Sequence, residues 1–160
     1  MPEELFLAPP SPLEVTSQIR STWVLASLQT IRDKGHGDAY LEHLPREHHD
    51  TITLGVASQW FPLDVVTAHY RACDALGFTP EQQVTFGREV SVKMQRTILG
   101  TAVRMAKNAG VTPWTIYKQL DRFWQRIAVG GGIAVHKLGP KEARAELLQC
   151  PLLELSLIHI

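Results

Sequence analysis

The densest group of side chains able to do chemistry lies between residues 36 and 50. There His36, His43, Glu47, His48, His49 and Asp50 supply several imidazoles and carboxylates. Donors of this kind suit zinc and other divalent metals. A metal site, however, needs ligands aimed before the ion arrives, as two histidines at i and i+4 on one helical face are. Pro45 interrupts the stretch between His43 and His48, and no H-E-x-x-H string occurs. A metal-dependent enzyme would have to be built on His43, His48 and His49; the polar sequence around them favours a solvated surface excursion.

A second histidine, His69, falls on the row Val65, Ala72, Leu76 at the margin of an apolar helical face. A histidine there is more often a core-edge residue with one satisfied hydrogen bond than a ligand or a base. With Tyr70 beside it, His69 is also a candidate for lining a pocket. Basic residues form two stripes: Lys93, Arg96, Arg104 and Lys107 at spacings of three, eight and three, then Lys118, Arg122 and Arg126 at intervals of four. Such stripes make either a basic groove or the wet face of an amphipathic helix, and Glu89 and Asp121 partly neutralise them. Without a DNA- or RNA-binding motif the wet face is the economical reading, and nucleic acid is not an expected partner.

Two further patterns are exclusions. Gly130-Gly131-Gly132 leads out of a helix into a strand, whereas phosphate-cradling loops lead from a strand into a helix N-terminus. The glycines therefore predict a helix stop and a close-packed turn. Ser21, Ser58 and Ser91 lie in no G-x-S-x-G context, and neither Cys73 nor Cys150 has a spaced activating partner, so nucleophilic catalysis has no signature.

The elements that position these residues follow from periodicity. Trp23, Val24, Leu25, Leu28 and Ile31 recur at helical spacing and predict a helix over 22–34, stopped by Gly35. A short helix is expected around 38–44, broken before Pro45. Pro62, in the N1 position, opens a helix with Leu63, Val66, Tyr70 and Cys73 along one row, ending at Gly77. Thr79-Pro80-Glu81-Gln82 reads as a capping box opening a long helix that carries Val84, Gly87, Met94, Ile98 and Met105 inward as far as Gly110. Thr112-Pro113 repeats the start signal for one deeply packed helix over 113–127, carrying Trp114, Tyr117, Phe123 and Trp124. Beyond the glycines the period becomes two. IAVHKL, a Gly-Pro-Lys turn and EARAELLQ predict an antiparallel hairpin with Ile133, Val135, Ala143, Ala145 and Leu147 on one face and His136 pointing outward.

The fold class is therefore α+β: about five helices in an N-terminal layer packed on a C-terminal antiparallel sheet, of which the sequence supplies one hairpin. A single domain is expected over 13–154. Pro9, Pro10 and Pro12 argue against regular structure before Leu13, so residues 1–12 read as a flexible arm. The last six residues, LSLIHI, read back as CTG TCT CTT ATA CAC ATC, the mosaic-end sequence of transposase-based libraries. They are expected to be foreign, with the natural frame and further strands continuing past Glu154.

Sixteen basic and sixteen acidic residues balance, which argues against a generally nucleic-acid-binding surface. Two unspaced cysteines in 160 residues, no apolar run near membrane-spanning length and no signal-peptide pattern predict a reducing, cytoplasmic location without a membrane partner.

Several local strings, WFPLDVVTAHYRACDALG, the Gly87-containing helix, Thr112-Pro113-Trp114 and the Gly139-Pro140 hairpin ending at Cys150-Pro151, resemble a myxobacterial-type paralogous family of unknown function. That family in turn looks like the 4-vinyl-reductase and haem-NO-binding-like superfamily. The resemblance implies a helical layer against a C-terminal sheet, a cavity between them, frequent dimerisation, and small-molecule binding or assembly as the task. The haem branch uses a proximal histidine on a helix and a Tyr-x-Ser-x-Arg string. That string is absent and His69 alone lies in a strongly predicted helix, so haem is not expected and no cofactor is predicted. The combined expectation is a non-enzymatic binding or sensing module for a small apolar ligand, with His69, Tyr70, Trp114, Tyr117, Phe123 and Trp124 as pocket candidates. The alternative is a homodimeric interaction scaffold.

Overall fold

A computed structural model describes residues 3–95 and 112–155. The chain is mixed α+β, with helices and two small antiparallel sheets of three strands each. Where the sequence pattern drew one domain, the chain divides into two compact units. Their described parts are residues 19–95 with 152–155, and residues 3–18 with 112–151.

The first of these units is helical. After β2 (Gln18–Arg20), helix α1 (Ser21–Asp33) buries Val24, Leu28 and Ile31 on one stripe, as their spacing requires, and Gly35 follows it at φ +78°. Residues 36–50 are more than a solvated excursion. They form α2 (Gly37–His43), a 3-10 turn (Arg46–His48) and the start of α3 (His49–Thr53). Tyr40 and Leu44, one helical turn apart, are buried with Ile52, so a few apolar side chains anchor a stretch that is otherwise polar. Strand β3 (Trp60–Pro62) leads into α4 (Leu63–Asp74), with Pro62 capping the helix rather than occupying its first position.

Helix α5 (Pro80–Gln95) opens with the expected capping box: the Thr79 amide donates to Gln82 Oε1 at 2.8 Å and the Gln82 amide to Thr79 Oγ1 at 3.3 Å. Its inward face is the expected one only in part: Met94 is buried as expected, but Val84 is exposed and Phe86 is buried in its place. Lys34–Glu89 and Lys93–Asp33, both at 2.9 Å, link α5 to α1 and its end, while the burial of Phe86 and Met94 gives the helix's phase. At about 100° per residue Val84 then lies on the far side from Phe86. Ile98, Gly100, Arg104, Met105, Lys107 and Arg96 lie outside the described residues.

The other unit is built on the predicted hairpin. Strands β5 (Gly132–Gly139) and β6 (Glu142–Leu148) are antiparallel, pairing Ile133 with Leu147, Val135 with Ala145 and Lys137 with Ala143. The three pairs share one face, as the alternation required. The third strand comes from a different place than expected. Strand β1 (Glu4–Leu7) pairs antiparallel with β5, placing β5 in the centre of the order β1-β5-β6. This corrects the reading of residues 1–12 as a flexible arm: none of the prolines, Pro2 and those from Pro9 on, falls within residues 4–7, which therefore keep the amides a ladder needs.

The expected helix over 113–127 is two pieces, Pro113–Tyr117 and Leu120–Ile127, separated by a turn at Lys118 and Gln119. It is also less deeply packed than its composition implies: Trp124 is buried, Ile116 is exposed, and Trp114, Tyr117 and Phe123 are half-buried. The break lets the shorter piece lie over the hairpin turn, where the Trp114 indole N–H donates to Pro140 O at 3.2 Å. A two-residue strand, β4 (Ala128–Val129), precedes the glycine stop, which behaves as expected. Gly130 and Gly131 have φ +77° and +65°, and a Cβ on Gly131 would run into Thr16 Oγ1 and Leu148 O.

Candidate functional site

The most chemically suggestive constellation was invisible in the sequence. His69 on α4 is completely buried, and both its ring nitrogens are engaged: Nδ1 with Tyr40 Oη at 2.7 Å and Nε2 with Ser27 Oγ at 2.9 Å. Cys73 Sγ lies 3.6 Å from Nε2 and 3.9 Å from Ser27 Oγ. Serine, histidine and tyrosine in hydrogen-bond sequence resemble a nucleophile with its base and orienting group. The surroundings forbid that use. Tyr40, Ser27 and Cys73 are as buried as the histidine, so no substrate reaches the hydroxyl or the thiol.

Burial also fixes every charge state. It pushes the imidazole down to about 3 and the Cys73 thiol up to about 12, and raises both Tyr40 and Tyr70 above the ordinary phenol value. All four groups are neutral across the physiological range. The cluster is a satisfied polar knot in an apolar core, with His69 stacked edge-on against Tyr40 and Tyr70. His69 is thus deeper and better bonded than a core-edge residue, with both nitrogens occupied, and Tyr70 is buried beside it.

The remaining pocket candidates belong to the other unit. Trp114 and Tyr117, with Pro113, Pro140, Lys141 and Ala143, line a cavity of about 380 Å³ between the short helix Pro113–Tyr117 and the β5–β6 turn. Three rings run in series there: Phe6 to Trp114 at 5.1 Å between centroids and Trp114 to Tyr117 at 5.6 Å. The Lys137 ammonium stands 5.2 Å from the Trp114 ring centre and that of Lys118 5.7 Å from Phe6. Phe6, which joins the site only because residues 4–7 form a strand, packs against the Trp114 ring. Trp124 turns away from this cavity, its indole N–H donating to Gly130 O at 2.9 Å. Phe123 does not line it either.

The histidine cluster is dispersed. His43 and His48 line one groove, while His49 borders another and holds the Leu44 carbonyl at 2.8 Å through Nε2. His36 stacks edge-on against Phe78. Among the described residues no three histidine, cysteine or acidic side chains stand close enough to hold a metal ion. Of the first basic stripe, Lys93 is described, and its ammonium is bound to Asp33 rather than left to form a groove; that bond lowers the carboxyl of Asp33. His136, expected to point into solvent, is partly covered and sits between Glu3 and Glu146 at 3.2 and 3.6 Å. Among the described residues no helix is long and apolar enough to cross a membrane. No protein-family model, curated protein or solved structure matches this chain.

Proposed function

We propose that this protein is a non-enzymatic, cytoplasmic small-molecule-binding module, of the kind implied by its resemblance to the 4-vinyl-reductase and haem-NO-binding-like superfamily. Its ligand seat is the aromatic cavity at Trp114 and Tyr117. The observation that carries the reading is that these two rings are held half-exposed on a concave wall instead of being absorbed into the core. A cavity of about 380 Å³ falls within the range that small ligands occupy. Its aromatic and proline lining suits a small, flat, mainly apolar compound. The polar knot around His69 contributes no chemistry to this task.

Saturation-transfer NMR with a panel of flat apolar probes such as indole and naphthol tests the reading. Binding should be seen with the native chain and lost in both Trp114→Ala and Tyr117→Ala. Binding that survives both substitutions places the ligand elsewhere, and no binding by any probe removes the proposal. A second reading, a homodimeric interaction scaffold, draws on a different feature: Leu54 and Val56 are 75% and 60% exposed, two residues apart on one loop.

A further inference from the structure

A second cavity lies within the helical unit and differs from the aromatic one in every respect. It is a groove of about 610 Å³ running along α4. One wall is the outward face of that helix, where Asp64, Thr67 and Arg71 recur at spacings of three and four and so lie in one row. The opposite wall carries His43 at the end of α2 and His48 in the 3-10 turn. Small side chains at Thr67 and Ala68 leave the floor unfilled, and Leu63 supplies apolar surface at one end.

The charges are unevenly satisfied. Asp64 turns a carboxylate oxygen back onto its own helix, accepting from the Val65 amide at 2.9 Å. Arg71 lies two turns, about 10 Å, further along the axis. Among the described residues Arg71 makes no ion pair. A guanidinium and two imidazoles lining one open groove make a donor-rich site, because guanidinium offers a planar fork matched to a carboxylate and an imidazole can add an N–H.

We propose that this groove binds a small organic monocarboxylate. Arg71 takes the carboxylate, His43 and His48 donate from the facing wall, and the hydrocarbon body lies over Ala68 toward Leu63. Asp64 at the far end repels a second anionic group, so the groove discriminates against dicarboxylates of similar length. This site is independent of the aromatic cavity, and either can fail without the other.

The test is a titration of the isotope-labelled full chain with isobutyrate and with succinate, followed by amide and arginine side-chain NMR signals. Isobutyrate should produce saturable shifts at Thr67 and Arg71 and bind more tightly than succinate. Arg71→Gln should weaken isobutyrate by about tenfold or more, the scale of one charge-assisted contact, and Arg71→Lys should recover part of that loss. Asp64→Asn should narrow the gap between the two acids. Because Arg71 is exposed, the dispersed spectrum of Arg71→Gln reports directly that the fold survives. Absence of saturable shifts, or shifts that persist unchanged in Arg71→Gln, would overturn the proposal.

Discussion

A histidine with both nitrogens bonded in an apolar core makes stability depend on pH in a calculable direction. Burial holds His69 at about 3, below the value of about 6.5 that it regains on unfolding. Between those two values the unfolded chain binds more protons than the folded one, so stability is fully present above pH 6.5 and falls as pH drops. The slope is about 1.4 kcal/mol per pH unit, and going from pH 7 to pH 5 should cost about 2 kcal/mol. The depressed carboxyl of Asp33 acts in the same direction in a separate, more acidic window, below its ordinary value of 3.8. Urea midpoints at pH 7, 6 and 5, together with the carbon shifts of the His69 ring, check this. A His69 ring that titrates near neutrality in the folded protein would show that the burial argument is wrong.

At the scale of elements, the turn from helix Leu120–Ile127 into β5 carries a strict requirement. Gly131 sits at φ +65°, where a Cβ is disfavoured by about 1–2 kcal/mol in its own right. That Cβ would also collide with the buried Thr16 side chain and the Leu148 carbonyl. Gly131→Ala should therefore destabilise the sheet-bearing unit by more than about 2 kcal/mol, with accelerated hydrogen exchange in β5 and β6. An exchange pattern equal to that of the native chain would contradict this account. The same turn shows why the tryptophans differ. Trp124 is held by Gly130 at the stop, whereas Trp114, on the far side of the break at Lys118 and Gln119, is left to the hairpin turn and to Phe6.

At the scale of the whole molecule, balanced charge gives no long-range field to steer a polyanion or to keep copies apart. Self-association is then decided by local apolar surface, and among the described residues Leu54 with Val56 is the most exposed large apolar pair. If the scaffold reading holds, sedimentation equilibrium should show a concentration-dependent rise in mass that Leu54→Glu abolishes. A constant monomer mass across concentrations would leave the binding-module reading without its rival.

By itself the sequence determined the elements whose signals are local. The capping box at Thr79 and Gln82, the stop at Gly35, the glycine turn and the register of the hairpin depend on neighbours within a few residues or on a period of two, and each is where the pattern put it. Only the tertiary structure decided what depends on distant partners. Tyr40, Ser27 and His69 stand on three different helices, separated by up to 42 residues, so no spacing rule could announce their knot. Strand β1 became a strand because β5, more than a hundred residues later, had an open edge. The phase of α5 was decided by which of its apolar residues found partners: Phe86 and Met94 are buried, while Val84 is left exposed. The two candidate pockets follow the same rule: their residue types were legible one by one, while the walls that face them were supplied by chain folding back from elsewhere.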